Sequence, residues 1–356
     1  MAILTKGQRL KKYTRENPAN LPPRRITPRS IEIIGIIHRY KIIPTSLIVR
    51  LIDGDIRTTE RHLQNLYHQG LINRFAFPST YYPTEFNYYL DDKRSLALLV
   101  NAGHDADKLD YDSVQRNREK QYSAITMGKE MVKMQGRLMH LHHELMISRF
   151  HYMLEKACNK SGDKVKLLGF YQGSQLWNDI EVSKVYPDKD GRWIESEETE
   201  SLPHRPDAFF ALYFPDRSGE EQTQCFFYEA DRKTTSLKKM QKKLRAHFHY
   251  IVKQKRQGQD YGVQRIRAVL VESLDDHWTN SLRVSARHPI VSGVKPSPLF
   301  WFTPSDLAFE QLMPIKIKGA EKQIPMFLEK PELVFANIWA TPADDDERPV
   351  FQSLID

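Results

Sequence analysis

Cysteine is scarce in this sequence: Cys158 and Cys225 are the only two among 356 residues. They lie far apart and lack the paired spacing of zinc ligands. The sequence therefore argues for buried reduced thiols rather than a disulfide or a structural zinc site. No apolar run approaches the ~20 residues that cross a bilayer. The N-terminus lacks the hydrophobic region of a secretory signal. A membrane partner is not expected, and a cytoplasmic location is. Internal repeats and long low-complexity runs are also missing, which excludes solenoids and tail-like polymers. What is present is 40% apolar residues with five tryptophans, enough for a real core,. The length suits two or three domains.

Acids are nearly absent from two stretches. Residues 1–26 carry Lys6, Arg9, Lys11, Lys12, Arg15, Arg24 and Arg25 against the single acid Glu16. That tail supplies +6 of the +8 net charge. From Arg232 to Arg256 there are ten Lys or Arg residues and no acid. Two separate basic blocks point to a polyanionic partner, most often nucleic acid. Solvated surface is the blander reading for either block alone.

Between the tail and residue 102 the pattern is three short helices and a hairpin. Thr27-Pro28 supplies an N-cap with proline at the first helical position. Pro44-Thr45 starts a second helix, and Thr58 or Thr59 caps a third that Gly70 closes. Strand-like runs at Leu71–Phe77 and Phe86–Leu90 follow. This is the winged-helix order, in which the third helix usually reads DNA. Its inward residues are Leu63, Leu66 and Tyr67. Arg57, Arg61, His62, Gln64, Asn65 and His68 are expected to point outward, toward phosphates and base edges. With Lys11, Lys12, Arg24 and Arg25 of the tail they form the expected DNA-binding set. A helix near 92–100 and a polar stretch to about Gln121, read as linker, complete this half.

A long helix over 135–160 opens the second half, with Leu138, Leu141, Leu145, Phe150, Met153 and Leu154 on its buried stripe. His143-Glu144 fails as a metalloprotease motif, because the second histidine would fall at Ile147. Glu144 remains of interest as a first-helix acid. Strands at 166–170 and 177–185, a polar segment at 187–201, and two acid-bearing strands follow. His204-Arg205-Pro206-Asp207-Ala208 leads into one of these, and Phe226-Phe227-Tyr228-Glu229-Ala230-Asp231 ends the other. Alternation along a strand puts Glu229 and Asp231 on one face. Buried carboxylates are costly unless paired, and Asp207 with Glu229 and Asp231 could hold a hard divalent cation through oxygen. A long helix from Ser236, a strand at 264–272, and aromatic strands at 299–303 and 335–339 finish an α/β sandwich around a mixed sheet.

This order resembles the PD-(D/E)XK nuclease superfamily and, more narrowly, the replication-relaxation family of plasmids and other mobile elements. The resemblance rests on Leu141-His142-His143-Glu144-Leu145-Met146-Ile147-Ser148-Arg149-Phe150, Arg205-Pro206-Asp207-Ala208 and Glu229-Ala230-Asp231-Arg232-Lys233-Thr234. It extends to Lys243-Leu244 with Tyr250, Phe300-Trp301-Phe302-Thr303 and Ile338-Trp339. It implies an α/β multidomain protein: a basic tail over 1–26, a winged helix-turn-helix over 27–102, a linker region over 103–134 and a nuclease-like α/β sandwich over 135–356. Its implied partners are double-stranded DNA and replication or transfer proteins, with a homodimer allowed. The sequence departs from the nuclease pattern at one position: Asp231 stands where a lysine is required to polarise the scissile phosphate. Lys239, Lys242 or Lys243 could supply that charge from the next helix, Lys243 being preferred for its Lys243-Leu244 setting. An active site would then comprise Asp207, Glu229, Asp231 and Lys243, with Asp207 and Glu229 holding Mg²⁺ or Mn²⁺. The other reading is a degenerate site in which the acids are ion-paired to lysines, with no catalysis. A third is a transcriptional regulator whose second domain dimerises.

Overall fold

Thr27 starts the first helix, α1 (Pro28–Tyr40), by accepting the Ser30 amide on its hydroxyl at 3.3 Å. Proline occupies the first turn, where its missing N–H costs nothing,. Ile33, Ile34, Ile37 and Tyr40 form its fully buried stripe. β1 (Ile42–Pro44), α2 (Thr45–Leu51) and α3 (Ile56–His68) follow. Asp55 caps α3, its Oδ2 accepting the Thr58 amide at 2.8 Å. The strands β2 (Asn73–Phe75) and β3 (Asn87–Tyr89) join β1 in an antiparallel sheet of order β1-β3-β2. The structure is a computed structural model. It describes residue 15 and residues 25–77, 85–120, 131–233, 235–305, 310–317, 320–327, 329–342 and 349–356, without the side chains of 131–139 and 310–327.

α4 (Lys93–Asn101) is capped by Asp92 and buries Leu96 and Leu99. The polar stretch expected as linker then forms a helix, α5 (Tyr111–Lys120). Val114 and Asn117 are its buried residues, and Asn117 Nδ2 donates to Leu90 O at 3.0 Å. One valine makes no apolar stripe, so composition concealed the helix. A partly buried Lys41–Asp110 pair at 2.9 Å closes the same region.

The long helix α6 runs Met131–Lys160. The chain divides into two compact units, Met1–Ser148 and Arg149–Asp356, and the division falls inside α6. In the first unit Leu141 and Leu145 pack with Ile42, Phe75 and Tyr89.

The second unit is built on a seven-stranded mixed sheet. Its members, in chain order, are β4 (Lys166–Gln172), β7 (Ala208–Tyr213), β8 (Thr223–Asp231), β9 (Ile266–Ser273), β10 (Phe300–Pro304), β13 (Trp339–Ala340) and β14 (Phe351–Gln352), arranged β14-β13-β10-β9-β8-β7-β4. β5 (Asn178–Pro187) and β6 (Trp193–His204) form a separate long hairpin, and β11 (Glu310–Ile317) pairs with β12 (Ala320–Phe327). The central strands are near-continuous apolar runs because both faces are covered. On one face α7 (Leu237–Phe248) sets Met240 and Leu244 against Phe227 and Val269, and α9 (Asp276–Ser285) adds Leu282. On the other, Phe150 of α6 stacks on Tyr228 at 4.1 Å and meets Phe210 and Trp339. A π-helical turn (His249–Lys253), α8 (Gln257–Tyr261) and α10 (Pro289–Ser292) complete the unit. The chain is thus a multidomain α/β protein.

Candidate functional site

Register builds the centre of the second unit. Ala208 faces Tyr228 across the antiparallel β7–β8 pair, so Asp207, just before β7, stands beside Glu229 near the end of β8. Phe209, Phe227 and Glu229 share the face that α7 covers,. Lys243 points at this spot from α7. Its ammonium is in direct contact with Glu229 Oε2 and lies 3.6 Å from Asp207 Oδ2. Asp207 Oδ2 also accepts the Ala230 amide at 2.9 Å. One turn along α7, His247 Nε2 meets Glu229 Oε1 at 2.5 Å, and His204 Nε2 meets His247 Nδ1 at 3.0 Å. His204 in turn stacks on Tyr250 at 3.9 Å.

The electrostatics follow from burial. Glu229 is 1% exposed, and burial, opposed by Lys243, pushes its carboxyl well above the ordinary range. Burial also works against the Lys243 charge. The combined fields of Asp207 and Glu229 outweigh that and hold it above a free lysine. Two acids share one ammonium, so the lysine keeps its proton while the more buried acid is destabilised as an anion. Burial lowers His204 to about 3 and His247 well below its usual value. Both are neutral rings at neutral pH. Assigning donors along the chain makes each Nε2–H donate, His204 to His247 and His247 to Glu229.

Asp231 stands apart from this group. Its Oδ2 accepts the Trp278 indole N–H, and burial raises its carboxyl. The three acids do not bring three ligand atoms within 4.8 Å of one another; among the described residues only His140, His143 and Glu144 do so. Both oxygens of Glu229 are already engaged, by Lys243 and His247. As arranged, these side chains fit an ammonium between Asp207 and Glu229, and they do not fit a divalent ion held by all three acids. Lys239 and Lys242, the other helix candidates, face solvent. His247 went unremarked in the sequence, although it lies four residues after Lys243 and so on the same helical face.

Glu144 belongs to the first unit. Its Oε1 lies 3.8 Å from Nδ1 of both His140 and His143, and the Lys120 ammonium lies 3.1 Å from His140 Nε2. The cluster thus joins one turn of α6 to the last residue of α5.

The outer face of α3 sorts by burial. Arg57 and Arg61 are exposed, and His62, Gln64 and Asn65 are half-buried. Burial, then Arg29 and Arg61, lower the His62 pKa. His68 corrects the expectation: it is 1% exposed and points inward. The chain doubles back there through Gly70 (φ +76°), and the Leu71 amide bonds Leu66 O, enclosing the last turn. Arg25 is exposed, while Lys11, Lys12 and Arg24 lie outside the described residues. Arg15 of the basic tail is folded in: it donates to Ile72 O at 3.0 Å and lies over the Tyr67 ring.

Fold and site together define a multidomain α/β protein with a basic helix surface in one unit and a lysine-clamped acid pair in the other. The replication-relaxation family matches residues 34–266, well over half of the chain, and the protein belongs to that family. The matched span runs from α1 to the start of β9 and includes Asp207, Glu229, Asp231, Lys243 and His247. Membership ties the chain to replication or relaxation of plasmids or mobile elements. No curated protein and no solved structure matches it. Among the described residues no helix is long and apolar enough to cross a membrane.

Proposed function

We propose that this protein binds double-stranded DNA in the replication, relaxation or transfer of a plasmid or other mobile element. It acts in the cytoplasm, together with replication or transfer proteins. In this reading the first unit is a winged helix that docks α3 on duplex DNA. The order α1-β1-α2-α3-β2-β3 and the exposed Arg57 and Arg61 support it,. The second unit is a nuclease-like domain acting as a binding platform. The observation that carries this is the Lys243 ammonium lodged between Asp207 and Glu229. It neutralises the pair where a nuclease would keep its carboxylates open.

A second reading has one observation in its favour: a helix-borne lysine does reach the acids, as a migrated catalytic lysine must. That reading makes the protein a Mg²⁺- or Mn²⁺-dependent endonuclease or nickase. Incubation of supercoiled plasmid, single-stranded and branched DNA with Mn²⁺ decides between them, wild type beside Asp207→Ala. The platform reading expects the same absence of cleavage in both, with duplex binding retained. Cleavage by the wild type that Asp207→Ala abolishes would replace it with the nuclease reading.

A further inference from the structure

Four of the five tryptophans are at least partly covered, and Trp177 is the exception at 48% exposed. It lies at the open end of the β5–β6 hairpin. Asn178 pairs with His204, so Trp177 and Arg205 are the next residues out on the two strands. The Arg205 guanidinium carbon sits 5.4 Å from the Trp177 ring centroid, and the Arg205 side chain is 52% exposed. Among the described residues its one acid contact is Asp179 at 3.4 Å, itself exposed and therefore weak,. Arg205 stands two residues before Asp207.

The helix that bears Lys243 also carries exposed cations. Lys238, Lys239 and Lys242 are exposed on α7, and none pairs with an acid among the described residues. Lys242 directly precedes Lys243. Of the other cations after Lys243 in this basic block, all but the exposed Lys255 are engaged. Arg245 is buried against Glu200 at 2.6 Å, Lys253 meets Glu195 at 3.8 Å and Arg256 meets Asp260 at 3.7 Å. Trp177 and Arg205 thus lead into Asp207 along the chain, and the three ammonium groups belong to the helix whose Lys243 meets that acid.

We propose that this surface of the second unit binds an unpaired DNA strand, with a base stacked on Trp177 and backbone phosphates held by Arg205, Lys238, Lys239 and Lys242. The inference rests on the DNA-binding reading and deepens it: the second unit takes single strands, the first duplex. Aromatic stacking favours this occupant because an unpaired base offers both π-faces, whereas bases in a duplex are already stacked. The lysines favour it because phosphate supplies the charge they lack. Relaxation and initiation of replication both expose single strands, so a protein handling such DNA meets this ligand.

The test uses the full chain, a fluorescein-labelled dT oligonucleotide and a labelled random duplex, followed by anisotropy. Trp177→Ala should weaken oligonucleotide binding on the order of ten- to a hundred-fold, and Trp177→Phe should recover most of it. Lys239→Gln with Lys242→Gln should weaken it further and flatten its salt dependence. Duplex affinity should stay within about two-fold throughout, since α3 carries it. Oligonucleotide affinity unchanged in Trp177→Ala, or wild type that binds duplex but no oligonucleotide, overturns this proposal and leaves duplex binding standing. Failure of the wild type to bind either DNA overturns both.

Discussion

Lys243 is the residue on which the second unit turns. Removing its charge strands two carboxylates, one of them almost fully buried. Lys243→Met should therefore destabilise the fold by about 3 to 5 kcal/mol at pH 7. The loss should shrink on acidification. An acid whose folded pKa is raised, as for Glu229, contributes stability below its unfolded value and loses it as pH rises,. Urea unfolding of the variant at pH 7 and pH 5 checks this, and a deficit equal at both pH values would contradict it. His38 in the first unit has the opposite sense. Burial, then Lys41, lower it to about 4, so its contribution is complete above pH 6.5 and is lost as pH falls toward 4. The size is about 3 kcal/mol over that window. His38→Gln keeps an acceptor for the Asp110 amide, which His38 Nε2 accepts at 3.1 Å, and should flatten the acid side of the stability curve.

Among the elements, α3 is where side-chain chemistry and position agree best. Arg61→Ala and Asn65→Ala are expected to cost discrimination between duplex sequences, about 1 to 3 kcal/mol for a lost base contact. Substituting an exposed lysine of α7 should not. Competition binding against random duplex measures the difference, and equal losses on specific and random DNA would remove base reading by α3. His68→Ala belongs to another category: being buried, it should lower the melting temperature rather than alter DNA preference. The elements also show where a sequence speaks clearly. β8 was legible because four apolar residues run unbroken from Cys225 to Tyr228. α7 was legible from its Ser236 cap; it ends at Phe248 and passes into a π-helical turn that reaches Lys253. α5 was not legible, since a polar helix held by one valine and one asparagine looks like linker. Nor did composition separate the β5–β6 hairpin from the main sheet, because strand pattern carries no partner.

At the scale of the whole molecule the basic tail is expected to have two separable roles. Deleting residues 1–24 should weaken duplex binding and flatten its salt dependence, as fewer counterions are released. It should also cost stability through Arg15, which bonds Ile72 O. Arg15→Ala alone should reproduce most of the stability loss and little of the salt effect. An unchanged salt slope after the deletion would count against the tail as a DNA contact. The amino-acid sequence by itself determined the α/β class, the order of the main elements, the two basic blocks and the neighbouring places of Asp207 and Glu229. The first three follow from local spacing, because apolar period and capping act over a few residues, and the last from the tendency of consecutive strands to pair. Only the tertiary structure decided which lysine meets the acids, that Asp231 turns to Trp278, that His204 and His247 extend the network, and that His68 faces inward. These depend on how α7, α9 and the hairpin settle against the sheet and on how the chain turns after α3. Such contacts between residues far apart in sequence are selected by packing and charge compensation, and no local pattern encodes them.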